Sequence, residues 1–177
     1  ILVIEDDHKI MVALEDSPED LLWSKERKLV NEPIEEEGDV ASDFNGEKHC
    51  INLNSPDFPA AYYCKTYNKG GRSWYLPSAG ELWLIYNHLE EIQSALEVVG
   101  GKKFVTSWFD GYPVYWSSTE CSFPEDSATY ACVLELPEGY LEDGCKKIED
   151  RRKVRPVSKF GPSTLKESFT RKISRKK

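Results

Sequence analysis

The sequence predicts an α+β fold built from alternating strand-like and helix-like segments. Three stretches predict it: 74–82 (WYLPSAGEL), 115–119 (YWSST) and 154–157 (VRPV). They hold much of the aromatic and apolar volume and alternate strand-like with helix-like character, which implies one packed unit over residues 1–160.

In the first stretch, Trp74 to Leu76 is a bulky extended run that Pro77 forbids from continuing as a central strand, because proline removes a ladder donor. Ser78 followed by Glu81 is a capping box, so a helix starts there. Leu82, Ile85, Tyr86 and Leu89 then recur at helical spacing, turning one stripe to the core and Glu90 and Glu91 to water.

Taken from the start, residues 1–4 and 10–14 are β-prone runs around a polar turn, 5–9, with His8 at its solvated tip; they form an opening hairpin. After a turn at 17–20, Leu21, Leu22 and Trp23 clamp the sheet. Residues 31–48 lack periodicity and read as a long acidic surface loop. With Asp43 and Asn45 as third and fifth ligands of a calcium loop, Ala41 and Asn52 would fall at its first and twelfth positions, so the pattern fails.

A second helix launches near Ser55, Asp57 and Pro59. It puts Ala60, Tyr63, Cys64 and Tyr67 on one face and ends at Gly70 and Gly71. A further helical piece, 92–99, stops at Gly100 and Gly101. Beyond it Phe104, Val105, Trp108, Phe109 and Tyr112 are too irregular for one element and too aromatic for a casual loop, which makes them the first candidate binding surface.

Residues 130–136 and 141–147 flank a two-residue turn at Glu138 and Gly139, giving an antiparallel hairpin with Leu136 opposite Leu141 and Cys132 opposite Cys145. Opposed α-carbons in such non-hydrogen-bonded pairs lie about 4.5 Å apart, within reach of a disulfide in an oxidising compartment. Residues 152–160 form the last strand, with Val154 and Pro156 on one face and Arg155 and Val157 on the other. The composition then changes: residues 161–177 carry Lys166, Arg171, Lys172, Arg175, Lys176 and Lys177 against Glu167 alone. This basic, flexible tail contacts either its own acidic body or an anionic surface.

Composition excludes several classes. A net charge of -8 over 177 residues leaves no basic body for nucleic acid. No apolar run approaches the roughly 20 residues of a membrane span. The chain opens at Ile1 rather than Met, which is compatible with a removed signal peptide or lipid anchor. The cysteines, Cys50, Cys64, Cys121, Cys132 and Cys145, form no C-x-x-C pair, and His8, His49 and His88 are isolated. No metalloprotease, nucleophile-elbow or phosphate-loop motif occurs, so neither metal nor cofactor is expected.

Together the segments Ala61-Tyr62-Tyr63-Cys64, 74–82, Tyr115-Trp116-Ser117-Ser118-Thr119-Glu120 and Val154-Arg155-Pro156-Val157 resemble a family: the domain at the C-terminus of the Legionella collagen-like adhesin, repeated in surface proteins of gut Bacteroidetes. The resemblance covers about residues 1–160 and implies a C-type-lectin-like fold, with twisted antiparallel sheets, paired terminal strands, two main flanking helices and long irregular loops. The calcium-holding Glu-Pro-Asn, Gln-Pro-Asp and Trp-Asn-Asp sequences of sugar-binding members do not occur here. Diversified receptors on the same scaffold vary regions that here correspond to about 123–130 and 140–152.

The function expected is a non-catalytic extracellular or cell-surface binding module, possible as a lipid-anchored protein, in which Trp108, Phe109, Tyr112, Phe123, Glu125, Asp126 and Tyr140 contact a glycan or a surface protein. The alternatives are a structural subunit of a surface appendage and a hydrolase-like enzyme whose carboxylates converge only in three dimensions.

Overall fold

The computed structural model describes residues 1–160 except 6, 35, 36 and 122–127, and of 37–39 and 142–144 it describes the backbone alone. The expected basic tail, 161–177, lies outside the described residues. The fold is α+β, with antiparallel sheets and four α-helices among the described residues.

The opening hairpin forms as β1 (Leu2–Glu5) and β2 (His8–Val12), paired from Leu2 opposite Met11 to Glu5 opposite His8. His8 is therefore the first residue of a strand rather than the tip of a turn, and its ring stacks on Phe44 at 3.5 Å. The clamp is a two-residue strand, β3 (Leu21–Leu22), followed by the buried Trp23.

The stretch 31–48 corrects the expectation of a solvated loop. It contains a 3₁₀ turn (Glu37–Ser42) and the start of α1 (Gly46–Asn52), and Asp43 is buried. Periodicity could not reveal α1, a helix of two turns that rests on tertiary contacts rather than propensity. Next come α2 (Pro59–Thr66), α3 (Ala79–Asn87) and α4 (Leu89–Val99). Helix α2 stops before the two glycines, which sit at φ 66° and 64° in the turn beyond it. Ser78 and Glu81 make the predicted capping box. The stripe read through Leu89 is broken at His88, where α3 ends and α4 begins, and α4 closes on Gly100 at φ 72° as expected.

The main sheet is β4 (Val114–Glu120), β5 (Tyr130–Glu135) and β6 (Tyr140–Lys146), in that spatial order. Strand alternation divides its side chains between two cores. Val114, Trp116, Ala131, Val133 and Cys145 pack with Trp23 and α2. Tyr115 and Leu134 pack with Leu82, Ile85, Ile92 and Leu96 of α3 and α4.

The hairpin register differs from the expected one. Leu134 faces Leu141, Glu135 faces Tyr140, and Cys145 faces Ala131 across a register shift between Ala131 and Val133. The turn takes residues 136–139 because Pro137 has no amide with which to close a two-residue loop, and the Leu136 amide instead donates to Pro113 O at 3.0 Å. Gly139, at φ 66°, leaves room for the Tyr86 ring, which a Cβ there would overlap. The expected approach of Cys132 to Cys145 is thus overturned: Cys132 is disulfide-bonded to Cys121, with α-carbons 5.7 Å apart, and Cys145 is buried outside that bond, its sulfur accepting from Arg152 Nη2 at 3.3 Å.

The C-terminal strand is also divided, into β7 (Arg151–Arg152) and β8 (Val157–Lys159). Residues 154–158 are all buried, so there is no solvent face between the two pieces. This segment touches most of the fold in turn. β7 pairs with β3, Lys153 exchanges backbone bonds with β4, Val157 does so with Tyr75, and β8 pairs with β2.

Arg155 fastens the join. Its Nε donates to Asp16 Oδ1 at 2.5 Å, Nη1 donates to Ala13 O and Lys102 O at 3.0 Å each, and its guanidinium lies 4.1 Å from the centre of the Phe104 ring. Lysine has neither the fork geometry nor the donor number for this task. Arg155→Lys is expected to cost about 2–4 kcal/mol, measured as a lowered urea midpoint with unchanged slope; an unchanged midpoint would show that the fork contributes nothing.

Glu81 does more than cap. It is buried, accepting from Tyr75 Oη at 2.8 Å and from Ser78 N at 2.9 Å. Burial pushes its carboxyl up to about 7 despite those bonds. Since the folded value exceeds the unfolded one, its stabilisation is full below about pH 4.3 and is lost as pH rises through about 7. Glu81→Gln should flatten this limb in urea midpoints recorded from acidic to neutral pH; a parallel limb in the variant would assign it to another group.

Candidate functional site

The connection from α4 to β4 is held firmly at its base. Lys102 N donates to Leu14 O at 2.7 Å, and Lys102 O accepts from Arg155. The Gln93 side chain brackets Phe104, accepting from its amide at 2.8 Å and donating to its carbonyl at 3.0 Å. Val105 N donates to Tyr115 Oη at 3.0 Å. With Phe104 buried between α4 and Tyr115, the next residues are pushed outward.

At the tip, a turn at 108–110 is closed by Asp110 N donating to Ser107 O at 3.1 Å, and Phe109 N donates to Ser107 Oγ at 3.2 Å. Phe109 is fully exposed (101%), Trp108 46% and Tyr112 44%. Trp108 and Tyr112 meet edge to face at 4.9 Å. Arg152 of β7 lies 4.8 Å from the centre of the Tyr112 ring, within cation–π range. Asp150 holds its guanidinium at 3.4 Å.

The structure therefore brings together three of the residues expected from sequence, Trp108, Phe109 and Tyr112. Tyr140 is exposed but lies on β6, two strands across the sheet from β4, opposite Glu135. Phe123, Glu125 and Asp126 lie outside the described residues. Sequence reasoning did not single out Arg152; its only signal was that it closes the 140–152 region corresponding to the variable part of the resembled scaffold.

Other polar clusters are built differently. His49 presents Nδ1 both to Ser118 Oγ at 3.2 Å and to Asp43 Oδ2 at 3.7 Å. A serine relay needs the two ring nitrogens to serve the two partners separately, and Ser118 is fully buried. Burial lowers the imidazole pKa, which leaves a neutral ring at neutral pH. Asp43 also accepts from Thr119 Oγ1 at 2.6 Å and from Asn45 N at 3.0 Å, so this carboxylate fastens the 43–45 turn to β4.

Glu120 works in the same way. It accepts from Val30 N at 3.1 Å and from the buried Lys147 ammonium, which also lies 4.7 Å from the Trp23 ring. Burial pushes the Cys50 thiol up to about 12, far from the range of a reactive thiolate. Among the described residues, no three His, Cys, Asp or Glu side chains converge to hold a metal ion, and no helix is long and apolar enough to cross a membrane.

The Cys121–Cys132 disulfide closes a short loop of chain, its cysteines 11 residues apart. Cross-links of this span remove about 3 kcal/mol of unfolded-state entropy. The double variant Cys121→Ser/Cys132→Ser should therefore unfold at lower urea, and peptide mapping without reductant should recover the two cysteines in one linked pair. Recovery of both as free thiols from oxidised protein would rule out the bond.

No protein-family model, no characterised protein and no solved structure matches the chain.

Proposed function

We propose that the protein is a non-catalytic binding module of the cell surface or extracellular space, and that the Trp108–Phe109–Tyr112 turn with Arg152 is its ligand surface. The observation that carries this reading is Phe109, wholly in solvent next to the half-exposed Trp108–Tyr112 pair, on a turn whose base is tied into the core. A free monomer gains nothing from displaying such side chains, whereas an interface does. Trp, Tyr and Arg are also the residues that dominate protein–protein hot spots, so a protein partner is favoured over a glycan.

The disulfide supports an oxidising compartment. The paired terminal strands, the helices on both faces of the sheet and the irregular connection before β4 support a C-type-lectin-like fold as the finer description. A second reading, a structural subunit of a surface assembly, draws on β1: it is an edge strand with Leu2 and Ile4 exposed, a surface on which another strand could pair.

The test is a paired screen of the purified protein and its Phe109→Ala variant on cell-surface protein and glycan arrays. Phe109→Ala should leave the unfolding free energy within about 0.5 kcal/mol of the parent's and weaken binding tenfold or more. Undiminished binding by the variant, or no binding by the parent on either array, would sink the proposal.

A further inference from the structure

A second recess shares Lys102 with the base of the aromatic loop but is distinct from its tip. It lies where the end of β2 meets the turn after α2 and the turn after α4, and its volume is about 450 Å³, within the range of small-molecule sites. Its floor is apolar, from Met11, Val12 and Leu14, and its wall is an aromatic pair, Tyr67 and Trp74, packed edge to face at 5.3 Å. The rim carries Lys69, Arg72 and Lys102.

The recess is held in shape by its own bonds. Trp74 Nε1 donates to Lys69 O at 2.8 Å, which closes the turn through Gly70 and Gly71. Lys102 N donates to Leu14 O at 2.7 Å, which ties the turn after α4 to the end of β2. A Cβ at Gly101 would meet Leu14 O at 3.0 Å, so only glycine lets the α4 turn close down on the end of β2 without displacing it.

The charges are unequal. Among the described residues, the one carboxylate lining the recess, Glu15, is 3.9 Å from Lys69. Arg72 stands 5.9 Å from the centre of the Phe160 ring and has no ion-pair partner among the described residues. Lys102 has no ion-pair partner among the described residues. Arg155 behind the wall is balanced by Asp16 and leaves this surplus unchanged. In a chain whose net charge is -8, a cationic rim over an apolar floor is a local reversal.

We infer that this recess binds a small amphipathic carboxylate, with one ring-sized apolar body against Trp74 and Leu14 and one anionic head between Arg72 and Lys102. A phosphate or sugar acid would satisfy the rim but leave the floor wet, while a neutral aromatic would fill the floor and leave the rim unused. The inference does not depend on what the aromatic loop binds.

The probe is naphthoate, titrated into the full chain and followed by tryptophan fluorescence and by amide chemical shifts. Naphthamide serves as the neutral isostere, and glucuronate and inorganic phosphate as anions without an apolar body. Naphthoate should saturate with a dissociation constant on the order of 1 mM or tighter, with shifts confined to residues 11–15, 67–74 and 100–102.

Lys102→Glu and Arg72→Glu, both exposed and absent from the cores, should each weaken naphthoate about threefold to tenfold and leave naphthamide unchanged. Trp74→Ala should weaken both aromatic probes, with circular dichroism as the check on folding. The inference is overturned by any of four results: no saturation in the low-millimolar range, shifts centred elsewhere, charge reversals without effect, or phosphate or glucuronate binding as tightly as naphthoate.

Discussion

Burying a guanidinium is expensive unless every direction it points in finds an acceptor, and at Arg155 that requirement organises the molecule. Its acceptors come from two separate places: Asp16 and Ala13 after β2, and Lys102 after α4. None of these segments is near Arg155 in sequence, so the bonds can form only when the two ends of the chain and the middle connection have all arrived. Asp16 binds a second partner, accepting from Tyr115 Oη at 2.9 Å, and Tyr115 in turn accepts from Val105. One charged group thereby ties the terminal strands to the main sheet and to the root of the aromatic loop. The loop can expose apolar rings at its tip because its root is fixed in this way.

A second polar belt runs along the far half of β4. Residues 117–120 are buried, yet each side chain has a polar partner, and for Ser118, Thr119 and Glu120 it lies outside the paired strands. Ser117 donates to Cys132 O, Ser118 faces His49, Thr119 bonds Asp43, and Glu120 holds the amides of Val30 and Asn31 together with Lys147. Unpaired polar groups in such a place would each cost a few kcal/mol. The connections that cover this end of the sheet are therefore specified by hydrogen bonds rather than by hydrophobic contact alone. The belt also explains how a region as acidic and aperiodic as 31–48 folds against the body at all.

Local chemistry carried much of this into the sequence. The capping box at Ser78 and Glu81, the glycine stop after α4 and the opening hairpin were legible because each rests on residues close in the chain or on a plain hydrophobic pattern, whereas the pairing of the terminal strands was implied only by the family resemblance. What could not be read depended on distant partners. Arg155 looked like an ordinary strand residue, since nothing in its neighbours announces Asp16 or Lys102. Helix α1 is too short to show periodicity, and Asp43 resembled a solvated acid until Thr119 was beside it. The hairpin register failed on a single amide that Pro137 does not have. At the candidate site, the aromatic excess of 104–112 was visible, but the cation over Tyr112 was not, because Arg152 arrives from another strand.

The disulfide has a further consequence for how this chain could change over time. Cys121 and Cys132 fix the two ends of a covalent ring with their α-carbons 5.7 Å apart, so the residues between them need not hold those ends together. Lengthening such a ring raises its closure entropy only logarithmically. Changes of length within the ring therefore cost little closure entropy, provided that Tyr130 and the buried Ala131, which lie inside it, keep their places in β5.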